Sequence, residues 1–166
     1  YIDYLSEAFL LESANRYDVK GKRYISTPLK YYFTDLGLRN VLLNFRQYEE
    51  THLMENAIYN ELRLRGWNVD VGMVVVNSRN EQGVSQRKQL EIDFVCNKGN
   101  KRCYIQSALS LPDEEKVLQE INSLQRIDDS FEKIVIVGGH AKPWINDNGI
   151  RFVNVYDFML NDDRIA

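Results

Sequence analysis

Cysteine, histidine and proline are scarce in this 166-residue sequence, with two, two and three copies. Two cysteines make no disulfide framework, which fits a reducing, cytoplasmic setting. So few Cys and His exclude zinc centres built mainly from those ligands. No uncharged run approaches the roughly 18 residues that a membrane-spanning helix needs, so no membrane partner is expected. The first residues lack a basic region followed by an apolar one, and nothing reads as a signal peptide. A glycine-rich phosphate loop is also missing, so ATP binding of that kind is not expected of this chain. Excess positive charge is missing too: 21 Lys and Arg stand against 24 Asp and Glu, net -3. That argues against a protein coating DNA with its whole surface, while leaving room for a basic stripe.

Apolar residues make up 44% of the chain and aromatic residues 11%, enough for a real core. The length suits one domain, or one domain with an appendage. The chain opens on Tyr1 in an already periodic stretch, and is expected to be a piece of a longer protein or a processed chain.

Residues 2–15 read as an amphipathic helix, with Ile2, Leu5 and Phe9 near one face. Gly21 marks a turn, and the short runs Arg23-Tyr24-Ile25 and Tyr31-Tyr32-Phe33 around Pro28 suggest a small hairpin. A helix before a basic-tipped hairpin resembles the second half of a winged-helix unit, giving a partial segment over residues 1–45. Residues 46–166 then form a second unit. Its strongest helix covers 51–66, with Met54, Ile58 and Leu62 on one side and Gly66 as a stop. Strands are expected at 68–76, 89–96 and 103–109, with a polar loop at 77–86 and a hairpin turn around Gly99. A helix opens at Pro112 and runs to about Arg126, strands follow at 134–137 and 150–155, and a helical turn closes the chain at 156–160. This order predicts an α/β fold, a mixed sheet flanked by helices.

The chemistry-bearing pattern lies on the hairpin. A turn centred on Gly99 sets Asp93 opposite Gln106, Glu91 opposite Ala108 and Cys96 opposite Cys103. Strand alternation then puts Glu91, Asp93, Gln106 and Ala108 on one face, with directly opposed Cβ atoms about 5 Å apart. Ile92, Phe94, Ile105 and Ser107 fall on the other. Paired carboxylates repel, and a hard cation such as Mg²⁺ would offset that through oxygen ligands. Glu55 sits on the rim of the apolar stripe of helix 51–66 and is the third oxygen donor; Glu61, nearer the stripe's centre, is the alternative. Cationic residues cluster as Lys20, Lys22 and Arg23 up to Lys30, and as Arg87 and Lys88 with Lys98, Lys101 and Arg102. Tyrosines between 24 and 32 are candidates for stacking on bases. His140, in a Gly/Pro/Asn loop, reads as a surface residue.

Glu55, Ile58, Leu62 and Gly66, a strand, then Glu91-Ile92-Asp93-Phe94-Val95 and Tyr104-Ile105-Gln106, are together similar to the PD-(D/E)XK restriction-endonuclease-like core. Across nearly the whole chain, the segments Tyr17-Asp18-Val19-Lys20-Gly21-Lys22, Lys30-Tyr31-Tyr32-Phe33-Thr34-Asp35-Leu36-Gly37-Leu38-Arg39-Asn40 and His52-Leu53-Met54-Glu55-Asn56 resemble the DUF4143 C-terminal region of prokaryotic AAA-type ATPases. The terminal Gly149-Ile150 and Asp157-Phe158 fit the same pattern. The resemblance implies an upstream ATPase domain as partner, which alone would bind ATP, and a nuclease-like site at Glu55, Asp93 and Gln106, with Glu91 as a further metal ligand. Ala108 stands where that pattern has its catalytic lysine, which helps position the attacking water and neutralises developing charge. Lys116 and Arg87 are the candidates to replace it. Three functions follow as expectations. The first is an accessory ATPase module with a degraded nuclease-like site, binding DNA through Lys20, Lys22, Arg23, Arg87 and Lys88, or binding a protein. The second is a Mg²⁺-dependent nuclease, and the third a purely structural interaction domain.

Overall fold

Met54, Ile58 and Leu62 recur at the spacing that lines one side of a helix, and α3 (Glu50–Leu64) buries all three. The computed structural model describes residues 1–46, 48–79 and 85–161. Ahead of α3 come α1 (Ile2–Glu7), β1 (Leu11–Asp18), β2 (Arg23–Phe33) and α2 (Leu36–Leu42). Behind it come β3 (Asn68–Arg79), β4 (Ser85–Lys98), β5 (Lys101–Ala108), α4 (Glu114–Gln125), β6 (Glu132–Val137), β7 (Trp144–Ile145), β8 (Arg151–Asn154) and α5 (Val155–Leu160). The strands form one eight-stranded mixed sheet in the order β2-β1-β3-β4-β5-β6-β8-β7. β3, β4 and β5 form an antiparallel meander, while β6 runs parallel to β5 and to β8. The polar stretch expected as a loop at 77–86 is shortened by longer strands; its residues 80–84 lie outside the described residues. No helix among the described residues is long and apolar enough to cross a membrane.

Each sheet face has its own core. Under α3 and α5 lie Ala14, Tyr32, Ile58, Leu62, Phe94, Ile105 and Ile136. Under α4 lie Ile92, Val95, Tyr104, Ala108, Leu124 and Val135. Asp113 caps α4 by accepting from the Lys116 N–H at 2.8 Å, and Glu114 and Glu115 complement the positive end of the helix.

The first 33 residues depart from expectation. The helix foreseen over 2–15 ends at Glu7, where Phe9 takes a left-handed φ of 57°. From Leu11 the chain is a strand, because β2 supplies ladder partners that local periodicity cannot reveal. Ile2 and Phe9, expected on a buried face, are exposed. The two short runs around Pro28 are one strand, and it lies at the sheet edge, where a missing N–H is tolerated. β1 pairs parallel with β3, Arg16 opposite Val71, and Ala14 and Tyr32 share the α3-side core. The hairpin expected as a winged-helix remnant is therefore part of the same sheet, and the boundary expected near residue 45 divides no sheet or core.

One irregularity sets the direction of the centre. Asp70 pairs with Val95 and Gly72 with Ile92, so two residues of β4, Asp93 and Phe94, oppose the single Val71. This is a β-bulge, and it resets the side-chain alternation. Ile92 and Val95 both pack under α4, while Phe94 packs under α3. Gly72 permits the bulge: a Cβ there would lie 2.8 Å from Val95 Cγ2 and 2.9 Å from Ile92 Cβ. Gly72→Ala is expected to lower stability by about 1–3 kcal/mol through overpacking. Urea denaturation of the variant beside the parent checks this; equal midpoints would contradict it.

Candidate functional site

The α3 side of the sheet carries a charged and polar cluster drawn from five elements. On β4, Asp93 Oδ2 accepts from the backbone N–H and the Oγ of Ser107, both at 2.7 Å. Glu55, on the buried side of α3, accepts from Tyr32 Oη at 2.8 Å and lies 2.6 Å from Lys30 Nζ. The same ammonium is 3.0 Å from Glu91 Oε1, and Arg16 Nη1 is 2.7 Å from Glu91 Oε2. Lys30 thus ties a helix carboxylate to a strand carboxylate. Strand alternation brings Lys30 and Tyr32 to the same side of β2, and Tyr32 is held by a stack on Tyr59 at 3.9 Å.

The charges within this cluster are unequal. Burial, then the neighbouring Glu55 charge, pushes the Asp93 carboxyl up to about 6, against the partial offset of the Ser107 donors and Lys30. Burial also raises Glu91, yet Arg16 and Lys30 outweigh it and hold that carboxyl below its ordinary range. Lys30 is held above its ordinary value, since Glu55 and Glu91 overcome the cost of burying its charge. Asp93 is therefore a carboxyl that changes charge near neutral pH beside a fixed cation, a pattern found at sites that move protons or bind charged ligands.

Glu55, Glu91 and Asp93 are brought together as expected, but Gln106 is not. The bulge turns Asp93 to the α3 side with Ser107, whereas Gln106 stays between Tyr104 and Ala108 on the α4 side. Gln106 meets Asp93 only through the backbone, its Oε1 accepting the Asp93 N–H at 3.4 Å. Ala108, at the position expected for a lysine, is buried under α4. Lys116 is on α4, paired with Glu120, and does not serve as the replacement cation. Arg87 stands exposed on β4 opposite Asn77. The cation at the cluster is Lys30, which the sequence places only within a basic stretch. Reading residues 23–33 as one continuous strand would put Lys30 and Tyr32 on a common face and point to them. Ser107 could be found only with the bulge in hand. Glu61, the alternative to Glu55, is paired with Arg65 at 2.7 Å.

A divalent metal does not fit this donor set. Glu55 and Glu91 are already neutralised by Lys30 and Arg16, and the amide expected as a third ligand faces away. Among the described residues, no group of three or more His, Cys, Asp and Glu side chains is placed to hold a metal ion. Cys96 and Cys103 are direct ladder partners, as expected, and are buried free thiols. His140 is exposed and stacks on Tyr156 at 4.6 Å. Lys20, Lys22 and Arg23 are exposed around the β1–β2 turn, and Arg87 and Lys88 on the outer part of β4.

The sequence is 32% identical over 160 residues to an uncharacterized protein of Haemophilus influenzae, a match taking in 96% of this chain and 36% of that protein. The chain thus spans little more than a third of the length of the curated relative it matches. No family model and no solved structure matches it.

Lys30→Met strands Glu55 and Glu91 beside Asp93 without their shared cation, and is expected to cost about 2–4 kcal/mol in denaturation at pH 7. The Asp93 carboxyl binds its proton more tightly folded, at about 6, than unfolded, near 3.8. Protonation therefore stabilises the folded chain, and that contribution is lost as pH rises from about 4 through 6. Relative to Asp93→Asn, the parent is expected to be more stable at pH 4 than at pH 7, by about 2 kcal/mol. Denaturation of both proteins at the two pH values measures the difference; a difference that does not change with pH would refute it.

Proposed function

We propose that the chain is an accessory module of a larger AAA-type ATPase, with a nuclease-like core whose reactive centre has become a structural ion-pair network. Its role is to contact nucleic acid through its basic surface residues, Lys20, Lys22 and Arg23 with Arg87 and Lys88, in a cytoplasmic setting. One observation carries this reading: Lys30 and Arg16 neutralise Glu55 and Glu91, and Gln106 faces the opposite core. In a metal-dependent nuclease those oxygens would hold a cation. The order α3, β3-β4-β5 meander, α4, then β6 parallel to β5 fits the restriction-endonuclease-like arrangement that the resemblance implies. The greater length of the Haemophilus relative fits a module within a longer protein.

A Mg²⁺-dependent nuclease is the competing reading, favoured by the convergence of Glu55, Glu91, Asp93 and a lysine in one cluster. Incubating supercoiled plasmid with Mg²⁺ or Mn²⁺ separates the two. The expected result is no nicking above that of Asp93→Ala; nicking that the variant abolishes would establish the nuclease.

A further inference from the structure

We infer that the β1–β2 part of the sheet's second face is a stacking platform for single-stranded nucleic acid, centred on Tyr24 and Arg102; this rests on the nucleic-acid reading above and gives it a place and a ligand form. α4 packs chiefly on β4, β5 and β6, and beyond them Tyr24 on β2 stands exposed. There Tyr17 and Tyr24 are ladder partners, their rings edge to face at 5.4 Å. Arg102 enters from β5, its guanidinium carbon 5.3 Å from the Tyr17 ring centre and 5.6 Å from that of Phe131. The result is a row of flat groups, ring, guanidinium and ring, drawn from three separate parts of the chain. Tyr24 is 63% exposed although its hydroxyl donates to Asp70 at 3.1 Å, so the ring is fixed at its tip and open on its face.

The surrounding charge fits a polyanion. Lys20 and Lys22, in the turn before Tyr24, are exposed, while Arg23 and Lys101 alternate with Tyr24 and Arg102 and belong to the other side of their strands. Lys20 and Lys22 line a cleft of about 300 Å³ with Asp128 and Asp129. The carboxylates on this side are partly engaged already: Asp129 accepts from Tyr104 at 2.6 Å and from the Phe131 N–H, and Asp70 from Tyr24. Fixed aromatic faces bordered by mobile cations suit unpaired bases with their phosphates, because every base offers a face to stack and the backbone offers regular charge. A duplex hides its base faces and would use the cations alone.

The test is fluorescence anisotropy of the 166-residue chain with labelled 20-nucleotide oligo-dT, oligo-U and a 20-base-pair duplex, from 25 to 300 mM salt. Tyr24→Ala is expected to weaken oligo-dT or oligo-U binding about tenfold, in the range set by loss of one base stack. Lys20→Ala with Lys22→Ala should flatten the salt dependence, and Lys142→Ala, in the loop before β7, should leave binding unchanged. Thermal denaturation of each variant separates loss of contact from loss of fold, and Tyr24→Phe, which keeps the ring but loses the bond to Asp70, should bind more tightly than Tyr24→Ala. Single-strand binding indifferent to Tyr24→Ala, or a preference for duplex, overturns the platform while the nucleic-acid reading stands. Absence of binding to all three probes at 25 mM salt overturns both.

Discussion

One extra residue in β4 governs the centre of this molecule. Two positions, Asp93 and Phe94, share the space opposite Val71, and from there to Glu91 the strand presents the reverse of the alternation it follows towards Lys98. The bulge exists because Gly72 has no side chain to meet Ile92 and Val95. Its consequence is electrostatic: Asp93 faces α3 and Glu55, in a region that also holds Glu91. Three carboxylates in a part-buried space repel, and the fold depends on the counter-charge that β1 and β2 bring to them.

That counter-charge explains why the N-terminal hairpin is integral. Lys30 and Arg16 come from the two strands that extend the sheet beyond β3, and Tyr32 donates to Glu55 from the same hairpin. Without the hairpin, Glu55 and Glu91 would have no cation among the contacts described above. The ion pairs therefore do what ridge-and-groove packing does elsewhere, fixing β2 against α3 with a defined register. Further polar anchors act alongside: Asn56 donates to the Phe33 carbonyl at 2.8 Å and accepts its N–H at 2.9 Å. Glu12 accepts from Tyr59 and Arg63.

The two sheet faces differ in character. The α3 side holds carboxylates closed by internal cations, with Asp93 fully satisfied at Oδ2 by Ser107. The other side is apolar under α4 and, beyond its edge, aromatic and cationic around Tyr24 and Arg102. The acidic centre is closed by internal ion pairs, while rings and cations stand on the other face. The separation also means that changes to one face need not disturb the other.

From residue 50 onward the sequence alone determined the helices and all strands but the two-residue β7, because apolar periodicity, Gly66, Gly99 and the Pro112 helix start are local signals. It also placed Glu55, Glu91 and Asp93 in one cluster and Cys96 opposite Cys103. Which strand the first segment would join, and therefore whether residues 11–18 would be helix or strand, was decided by tertiary structure: Leu11, Ala14 and Tyr17 follow a helix-like spacing, yet hydrogen bonds to β2 and β3 select the strand. Tertiary structure likewise parted Asp93 from Gln106 and brought Lys30 to Glu55 and Glu91. Both outcomes turn on contacts between residues 13 to 61 positions apart, and spacing along the chain carries no record of a bulge that depends on a glycine in the neighbouring strand.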